Sequence, residues 1–408
     1  MIYQVLFLNF IVFFTVYKTA YGQGCSITLS KDLPENPPLI YSSANKLLLP
    51  KVVNSNRVLS LQSKESIQLT CPGTGNYLTF TKTPTATISC VSGLKFKHLN
   101  KEYSFPTLTC LRGIKEDMKE DGKCGNDKMS TMVLIGWNTE GTFKEQIRVC
   151  FNKIDSEPLY TSAIINGTGL AAQDAGGSRP SFKEGYHYGY YRDVSMNEAY
   201  AQTNQETVFN TTFGSALAQK YLDTSKQLYL ARGHLIANSD FVWDPMQDAT
   251  FYYMNAAPQY QVINNGNWKS IESAVRDLAI KLKTDLQVIT GPFDVLSLPG
   301  PSGKPKSVYL TRDSNCNQYI PVPKFFWKVI HDPSTKKALA IISINNPFLT
   351  TLPNNYILCK DVCSSISWIP KDSLKSLSSS GYIYCCSVDD LRKSIPDIPN
   401  IGNVALLT

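Results

Sequence analysis

A short set of polar residues in the 408-residue chain has the types and spacing of a hydrolytic site: Arg232, His234, Asn264 and Glu272, with Arg276 one helical turn further on. Arg232-Gly-His234 closes an apolar, strand-like run, Gln227–Ala231, and Asn264 opens a helix thirty residues later, an unusual arrangement. A phosphodiester is anionic and resists attack, so breaking one takes a base, neutralised charge and a stabilised leaving group. An imidazole titrates near neutral pH, which suits His234 to take a proton from water. A single divalent cation, Mg²⁺ or Mn²⁺, would serve the scissile phosphate and the leaving oxygen. Mg²⁺ keeps several waters and needs few protein ligands, so Asn264 alone is a sufficient direct ligand. Guanidinium forks match phosphate oxygens, a task for Arg232, Arg276 and Arg179.

Each residue also has a plainer reading. His234 without its neighbours would be a core histidine, and Asn264 and Asn265 would be helix N-caps. Glu272 and Arg276, four apart on a helix, would form a surface ion pair. Arg179 would only shape the Gly-rich loop Asp174–Ser178 that precedes it. His98, His187 and His331 lack a partner pattern and read as structural or exposed. Tyr186–Tyr191 reads as core or interface more readily than as a base-stacking platform. Other hydrolase and nucleotide signatures are missing. There is no Gly-x-Ser-x-Gly, and Gly300-Pro-Ser-Gly303-Lys304 lacks the spacing of a phosphate-binding loop.

The elements that must hold these residues follow from periodicity. Trp268, Ile271, Val275, Leu278 and Leu282 recur at helical spacing and predict a helix over 267–283. Before it, Met132–Trp137 and Phe143–Phe151 flank Asn138–Gly141 as a hairpin, and Leu159–Ile165 reads as a strand. After it, Leu286–Thr290, Ser307–Leu310, Phe325–His331 and Ala338–Ile344 read as strands. Residues 23–130 look β-rich, with runs Ile67–Thr70, Tyr77–Thr81 and Ala86–Val91 broken by Pro, Gly and Asn. They form a cysteine-containing accessory domain, and residues 131–408 an α+β domain.

With 43% hydrophobic and 18% charged residues the chain can bury a large core, and its net charge of +7 favours a polyanionic partner without proving one. The apolar run Val5–Tyr17, followed by Ala20 and Gly22, reads as a signal peptide over 1–22, the alternative being an uncleaved anchor. No later segment is long and apolar enough to span a bilayer. A secreted, extracellular protein follows, with no stable membrane association and no protein partner inferred. In that setting the eleven cysteines point to disulfides, their pairing open and one thiol left over. A zinc set at Cys359, Cys363, Cys385 and Cys386 is the weaker reading, since thiolate zinc sites favour reducing compartments and no histidine is near. Asn166-Gly-Thr168 and Asn210-Thr-Thr212 are glycosylation sequons.

Taken in order, Arg232-Gly-His234, Asn255-Ala-Ala-Pro-Gln259 and Asn264-Asn-Gly-Asn-Trp268 running on to Glu272 resemble the DNA/RNA non-specific endonucleases, which carry a ββα-metal motif. Val288–Pro292, Pro323–Lys328 and Ala338–Pro347 resemble the sheet strands that follow, so the likeness covers about 250 residues. The Ala-Arg-Gly-His-Leu form and the cysteine-rich N-terminal module look most like the secreted arthropod branch that degrades double-stranded RNA. The resemblance implies an α+β fold: a ββα-metal nuclease domain with a central mixed or antiparallel sheet and flanking helices. It implies a metal-dependent endonuclease acting on double-stranded RNA and also DNA, leaving a 5′-phosphate and a 3′-hydroxyl. His234 would be the base and Asn264 the ligand of one Mg²⁺ or Mn²⁺, with Glu272 orienting the metal's water. Arg232, Arg276 and Arg179 would act in catalysis and substrate binding. The chain departs from the family at Ala231, where many members have Asp, which removes a carboxylate beside the site. The competing class is a secreted nucleic-acid-binding effector without activity; the intact Arg232, His234, Asn264 and Glu272 argue against it.

Overall fold

The computed structural model describes residues 24–126, 128–139, 141–173, 179–185, 195–312, 317–370, 374, 377 and 380–408. The signal-peptide segment, the loop Asp174–Ser178, the Tyr186–Tyr191 stretch with His187, and Cys316 lie outside the described residues.

Two small antiparallel sheets build the N-terminal region. One pairs Asn56–Leu61 with Cys25–Thr28 on one side and Lys51–Val53 on the other. The second runs in the order Leu39–Ser42, Ser66–Thr70, Thr85–Ser92, Lys95–His98, Lys101–Ser104. Alternation does the work here: Ile67, Leu69, Ala86, Ile88 and Phe96 point inward while the residues between them face outward. Disulfides Cys25–Cys90 and Cys71–Cys110 staple this small core. The expected strand Tyr77–Thr81 is instead a turn region. Only Leu78 bridges, to Cys110, while the amides of Thr81 and Lys82 fold back onto the Leu78 carbonyl.

The rest is organised on a nine-stranded sheet. From one edge its order is Ile383–Cys386, Lys337–Ile344, Pro323–Asp332, Asp285–Val295, Glu157–Asn166, Thr142–Asn152, Ser130–Thr139 and Asp117–Cys124. These pairings are antiparallel; the two-residue strand Ala405–Leu406 adds to Lys337–Ile344 in parallel. The sheet thus takes in residues 117–124, on the N-terminal side of the expected boundary at 130. Both of its faces are covered, which is why Phe325-Phe326-Trp327-Lys328-Val329-Ile330 is buried without alternation. The Ser307–Leu310 expectation resolves into two short hairpin arms, Pro305–Ser307 and Tyr309–Arg312, pairing with Ser297–Pro299 and Gln318–Pro321. The four C-terminal cysteines close as Cys359–Cys386 and Cys363–Cys385, not as a thiolate metal set, and Cys124–Cys150 is the fifth disulfide among the described residues.

Two features near the histidine strand were not anticipated by periodicity. Helices Gln202–Phe213 and Ser215–Tyr221 fill the stretch before the histidine strand. Thr and Asn are poor helix formers, but Thr207, Thr211 and Thr212 bond their hydroxyls to carbonyls four residues back, and Val208, Phe209 and Phe213 are buried. The histidine strand itself spans Leu230–His234, not Gln227–Ala231, because Gln227 takes a left-handed conformation after the turn Thr224–Lys226. His234 is therefore the last residue of the strand and not one beyond it.

Candidate active site

The site is assembled on a hairpin and the helix that follows it. Leu230–His234 pairs antiparallel with Ala256–Tyr260, register His234 opposite Ala256. Gly233 must be glycine: a Cβ there would sit 2.7 Å from Gln259 Oε1 and 2.8 Å from Gln259 Cβ. Beyond His234 the chain is clamped by Asn255, the first residue of the Asn-Ala-Ala-Pro-Gln stretch. Its side chain accepts from the Ile236 amide at 3.0 Å and donates to the carbonyls of Ile236 and Thr250, both at 2.9 Å. Its carbonyl accepts from the Leu235 amide. Asn345, on the far end of the strand Lys337–Ile344, accepts from the Tyr260 amide and donates to the carbonyls of Pro258 and Pro323, tying hairpin to sheet.

The helix begins earlier than its apolar stripe. A turn over Gln261–Ile263 continues through Asn264 before the backbone breaks at Gly266 (φ −92°, ψ −124°), and the regular helix then spans Lys269–Leu282. Asn264 is thus itself helical and not an N-cap; its side-chain NH₂ donates to Gln261 Oε1 at 3.3 Å. Gly266 is needed at the break because a Cβ would meet the Ser380 carbonyl at 2.6 Å, and Asn267 fastens the break through the Ser380 and Gly381 carbonyls. Ile271, Val275 and Leu278 are buried as the stripe predicts, whereas Leu282 at its end is 45% exposed.

His234 sits between Phe182 (ring centroids 4.9 Å) and Phe251 (5.0 Å), and its Nε2 is buried with no hydrogen-bond partner among the described residues. Burial, helped by the charge of Arg179, pushes its pKa down to about 3, so the ring is neutral over the whole physiological range. Glu272 responds in the opposite direction: burial pushes its carboxyl up to about 7, against the pull of Lys328, Arg276 and Arg179. Arg179 acts on both groups, which places His234, Glu272 and Arg179 in one electrostatic cluster.

Arg276 does not pair with Glu272. Its Nη1 meets Asp240 Oδ1 at 3.1 Å and its Nη2 donates to Ser273 Oγ at 3.0 Å. Arg232 is held in an aromatic cage beside the cluster, 5.1 Å over Tyr200 and 5.5 Å over Tyr253, with Nε donating to Tyr253 Oη at 3.0 Å and Nη2 to Asn197 Oδ1. Asn264 lies on the turn after the hairpin, and its hydrogen bond goes to Gln261 rather than to a member of the cluster.

Sequence reasoning missed Lys328. It is 1% exposed, donates to the Leu235 carbonyl at 3.1 Å and to Thr290 Oγ1 at 2.7 Å, and lies 5.0 Å over the Trp268 ring. A cation there holds the residue next to His234 and faces Glu272. The signal was present as a lone lysine inside a run too apolar for an exposed strand. Asp240 was also missed, and nothing in its local sequence marks it. Ala231 lies opposite Gln259, whose buried side-chain amide has no hydrogen-bond partner among the described residues.

Comparison with known proteins bears on this arrangement. The profile of the family described as DNA/RNA non-specific endonuclease matches residues 125–391. A salivary endonuclease of Lutzomyia longipalpis is 30% identical over 387 residues, covering 92% of this chain and 84% of that protein. The salivary protein Tsal2A of Glossina morsitans morsitans is 24% identical over 95% of both chains. Bovine mitochondrial endonuclease G is 34% identical over 100 residues, 24% of this chain and 32% of that one.

Proposed function

The chain belongs to the DNA/RNA non-specific endonuclease family, and on that premise we propose that it is a secreted, metal-dependent nuclease in which His234 is the general base. The observation that carries the reading is the His234 ring: neutral, walled by Phe182 and Phe251, with a buried Nε2 that no described residue satisfies. A neutral imidazole with a free lone pair is what proton abstraction needs.

The residues present fit a divalent cation. Asn264 offers a carboxamide oxygen while its NH₂ is spent on Gln261, and the half-buried Glu272 carboxyl would be relieved of its charge penalty by a cation nearby. When bound, Mg²⁺ or Mn²⁺ supplies charge neutralisation at the scissile phosphate and the leaving oxygen. Asn264 would hold it, with Glu272 behind. His234 takes the proton of an attacking water, the water oxygen bonds to phosphorus, and the P–O3′ bond breaks. The 5′-phosphate stays on one fragment and the 3′-oxygen leaves to become a hydroxyl. Arg232, Arg179 and Arg276 meet the phosphate oxygens. Arg232 is pre-oriented by its aromatic cage, and Arg276 is steadied by Asp240.

Double-stranded RNA is the substrate we assign, with DNA also cut; the salivary relatives named above support the secreted, nucleolytic part of this reading. A gel assay on matched double-stranded RNA and DNA, with Mg²⁺ and with EDTA, tests it. Metal-dependent loss of both, RNA faster, is the expected result. Equal loss withdraws the RNA preference, and binding without cleavage moves the protein to the inactive-effector reading.

A further inference from the structure

The two rings that wall His234, Phe182 and Phe251, come from separate stretches of chain, and each stretch is tied to the N-terminal side of the molecule. Phe182 lies on segment 179–185, whose one β-bridge pairs Lys183 with Tyr252. The Lys183 amide donates to the Phe251 carbonyl at 2.8 Å, and the Lys183 carbonyl accepts from the Tyr253 amide at 3.0 Å. The two walls are therefore joined to each other.

Glu116, the last residue before the strand Asp117–Cys124, holds the first wall. Its side chain is 7% exposed and forms an ion pair with Lys183, next to Phe182. Lys183 Nζ also lies 4.8 Å over the Tyr252 ring and donates to the Asp248 carbonyl at 3.4 Å. Two residues beyond Glu116, Met118 packs against Gly185, where a Cβ would meet Met118 Cε at 2.5 Å.

Trp243 holds the second wall. It precedes the short helix Asp244–Asp248, and the Phe251 amide donates to the Asp248 carbonyl at the end of that helix. Trp243 Nε1 donates to the Leu48 carbonyl at 2.9 Å, and its ring packs against both the core of the N-terminal sheets and that of the large sheet. The turn just before it carries Asp240, the partner of Arg276. Packing two regions together needs contacts, but not contacts at these positions. Lys144 also joins them, donating to Asn45 Oδ1 at 2.7 Å, and it does so from the strand Thr142–Asn152 rather than from either wall.

We propose that the N-terminal region braces the catalytic histidine, with Glu116 and Trp243 as positioning residues that hold Phe182 and Phe251 against the His234 ring. The proposal rests on the reading of His234 as the general base. A gap beside either ring would admit water, and burial would no longer keep the imidazole neutral. The titratable groups on the elements packed about it are Arg179, Lys183 and Glu184 with Phe182, Asp248 and Tyr253 about Phe251, Arg232 on its own strand, and Glu272 on the long helix. Of these, Arg179 acts together with burial. It shares the braced segment, so loosening that segment weakens both influences in the same direction.

Two variants of the full chain test the proposal. Glu116→Met removes the acceptor of the ion pair at similar length, and Trp243→Phe removes the Nε1 donor while keeping a ring. The two ties are independent, so one misfolded variant leaves the other to decide. Histidine NMR of the metal-free protein gives the first readout, with His234 identified by the signals lost in His234→Ala. The wild-type imidazole should stay neutral down to about 3, and in each variant it should titrate at least about one pH unit higher, toward the ordinary 6.5. Single-turnover cleavage with Mg²⁺ gives the second. The rate should fall by about 10- to 100-fold, the scale of a catalytic group displaced by about 1 Å, with duplex affinity in EDTA unchanged. A Lys144→Met control should match the wild type in both. An unmoved titration overturns the proposal, because the contacts then only add stability. A moved titration with an unchanged rate in a wild type that cleaves also overturns it, as does an equal effect in the Lys144→Met control. Lost duplex affinity with an intact rate does so too, making the N-terminal region a substrate surface. If the wild type never cleaves, or His234→Ala cleaves normally, the base reading fails and the titration still decides whether the walls are braced.

Discussion

The N-terminal sheets and the catalytic domain handle cations in opposite ways. On the hairpin at 95–104 the lysines are exposed and form no ion pair among the described residues. Around His234 the cations are committed: Arg276 to Asp240, Arg232 to an aromatic cage, and Lys328 to a carbonyl and a hydroxyl in the core. The two arrangements suit different physics. Attraction of a polyanion is long-ranged, screened by salt and indifferent to geometry, so free charges on a surface suffice. Bond cleavage needs groups in fixed positions and in the right protonation state. Burial supplies that state here, keeping an imidazole neutral and raising a carboxyl toward neutrality.

The sharpest separation of the two regions comes from the base. His234→Ala should lower kcat by about 10²- to 10⁴-fold, the usual worth of a positioned general base, while duplex affinity in EDTA stays at the wild-type value. Single-turnover cleavage and anisotropy on the same preparation check both halves; near-normal turnover would remove His234 from the chemistry. Lys328→Met comes next. It takes away the donor that fixes the Leu235 carbonyl beside His234, and supporting contacts of this kind are typically worth about 10- to 100-fold. A buried carbonyl left without a partner costs about 1–3 kcal/mol, to be read from denaturant unfolding. Duplex affinity in EDTA should again be unchanged. A variant with weakened binding and intact kcat would place Lys328 among the substrate contacts instead.

How far the sequence discloses each region differs for the same reason. The long helix, the Met132–Phe151 hairpin and the strands at 286–290, 325–331 and 338–344 are legible because periodicity and apolar runs are local properties. Arg232, His234 and Glu272 stand out by type and spacing. What is not legible is tertiary. Asp240 becomes the partner of Arg276 only when the loop after His234 folds back on the helix. Asn255 reads as one letter of a motif until its three side-chain hydrogen bonds appear. The break at Gly266 is imposed by Ser380, more than a hundred residues away, so an N-cap at Asn264 was the natural local reading.

The smallest predicted effect concerns stability, and it isolates the two titrating groups of the site. His234 is held below its ordinary 6.5, down to about 3, so between those values the unfolded chain binds a proton that the native one does not, and stability falls as pH falls through that window. Glu272 is held above its ordinary 4.5, up to about 7, so the native state keeps a proton that the unfolded chain has lost, and stability falls as pH rises through that window. From 4.5 to 6.5 the two slopes oppose one another, each at most about 1.4 kcal/mol per pH unit, and the metal-free protein should show a nearly flat contribution from the site. Removing one group unmasks the other. His234→Ala should lose stability as pH rises from 4.5 to 6.5, and Glu272→Gln should gain it over the same window, where the wild type stays nearly flat in chemical denaturation without metal. Parallel profiles for His234→Ala and the wild type would mean that the imidazole is solvated, and that the neutral base inferred for catalysis is not made by burial.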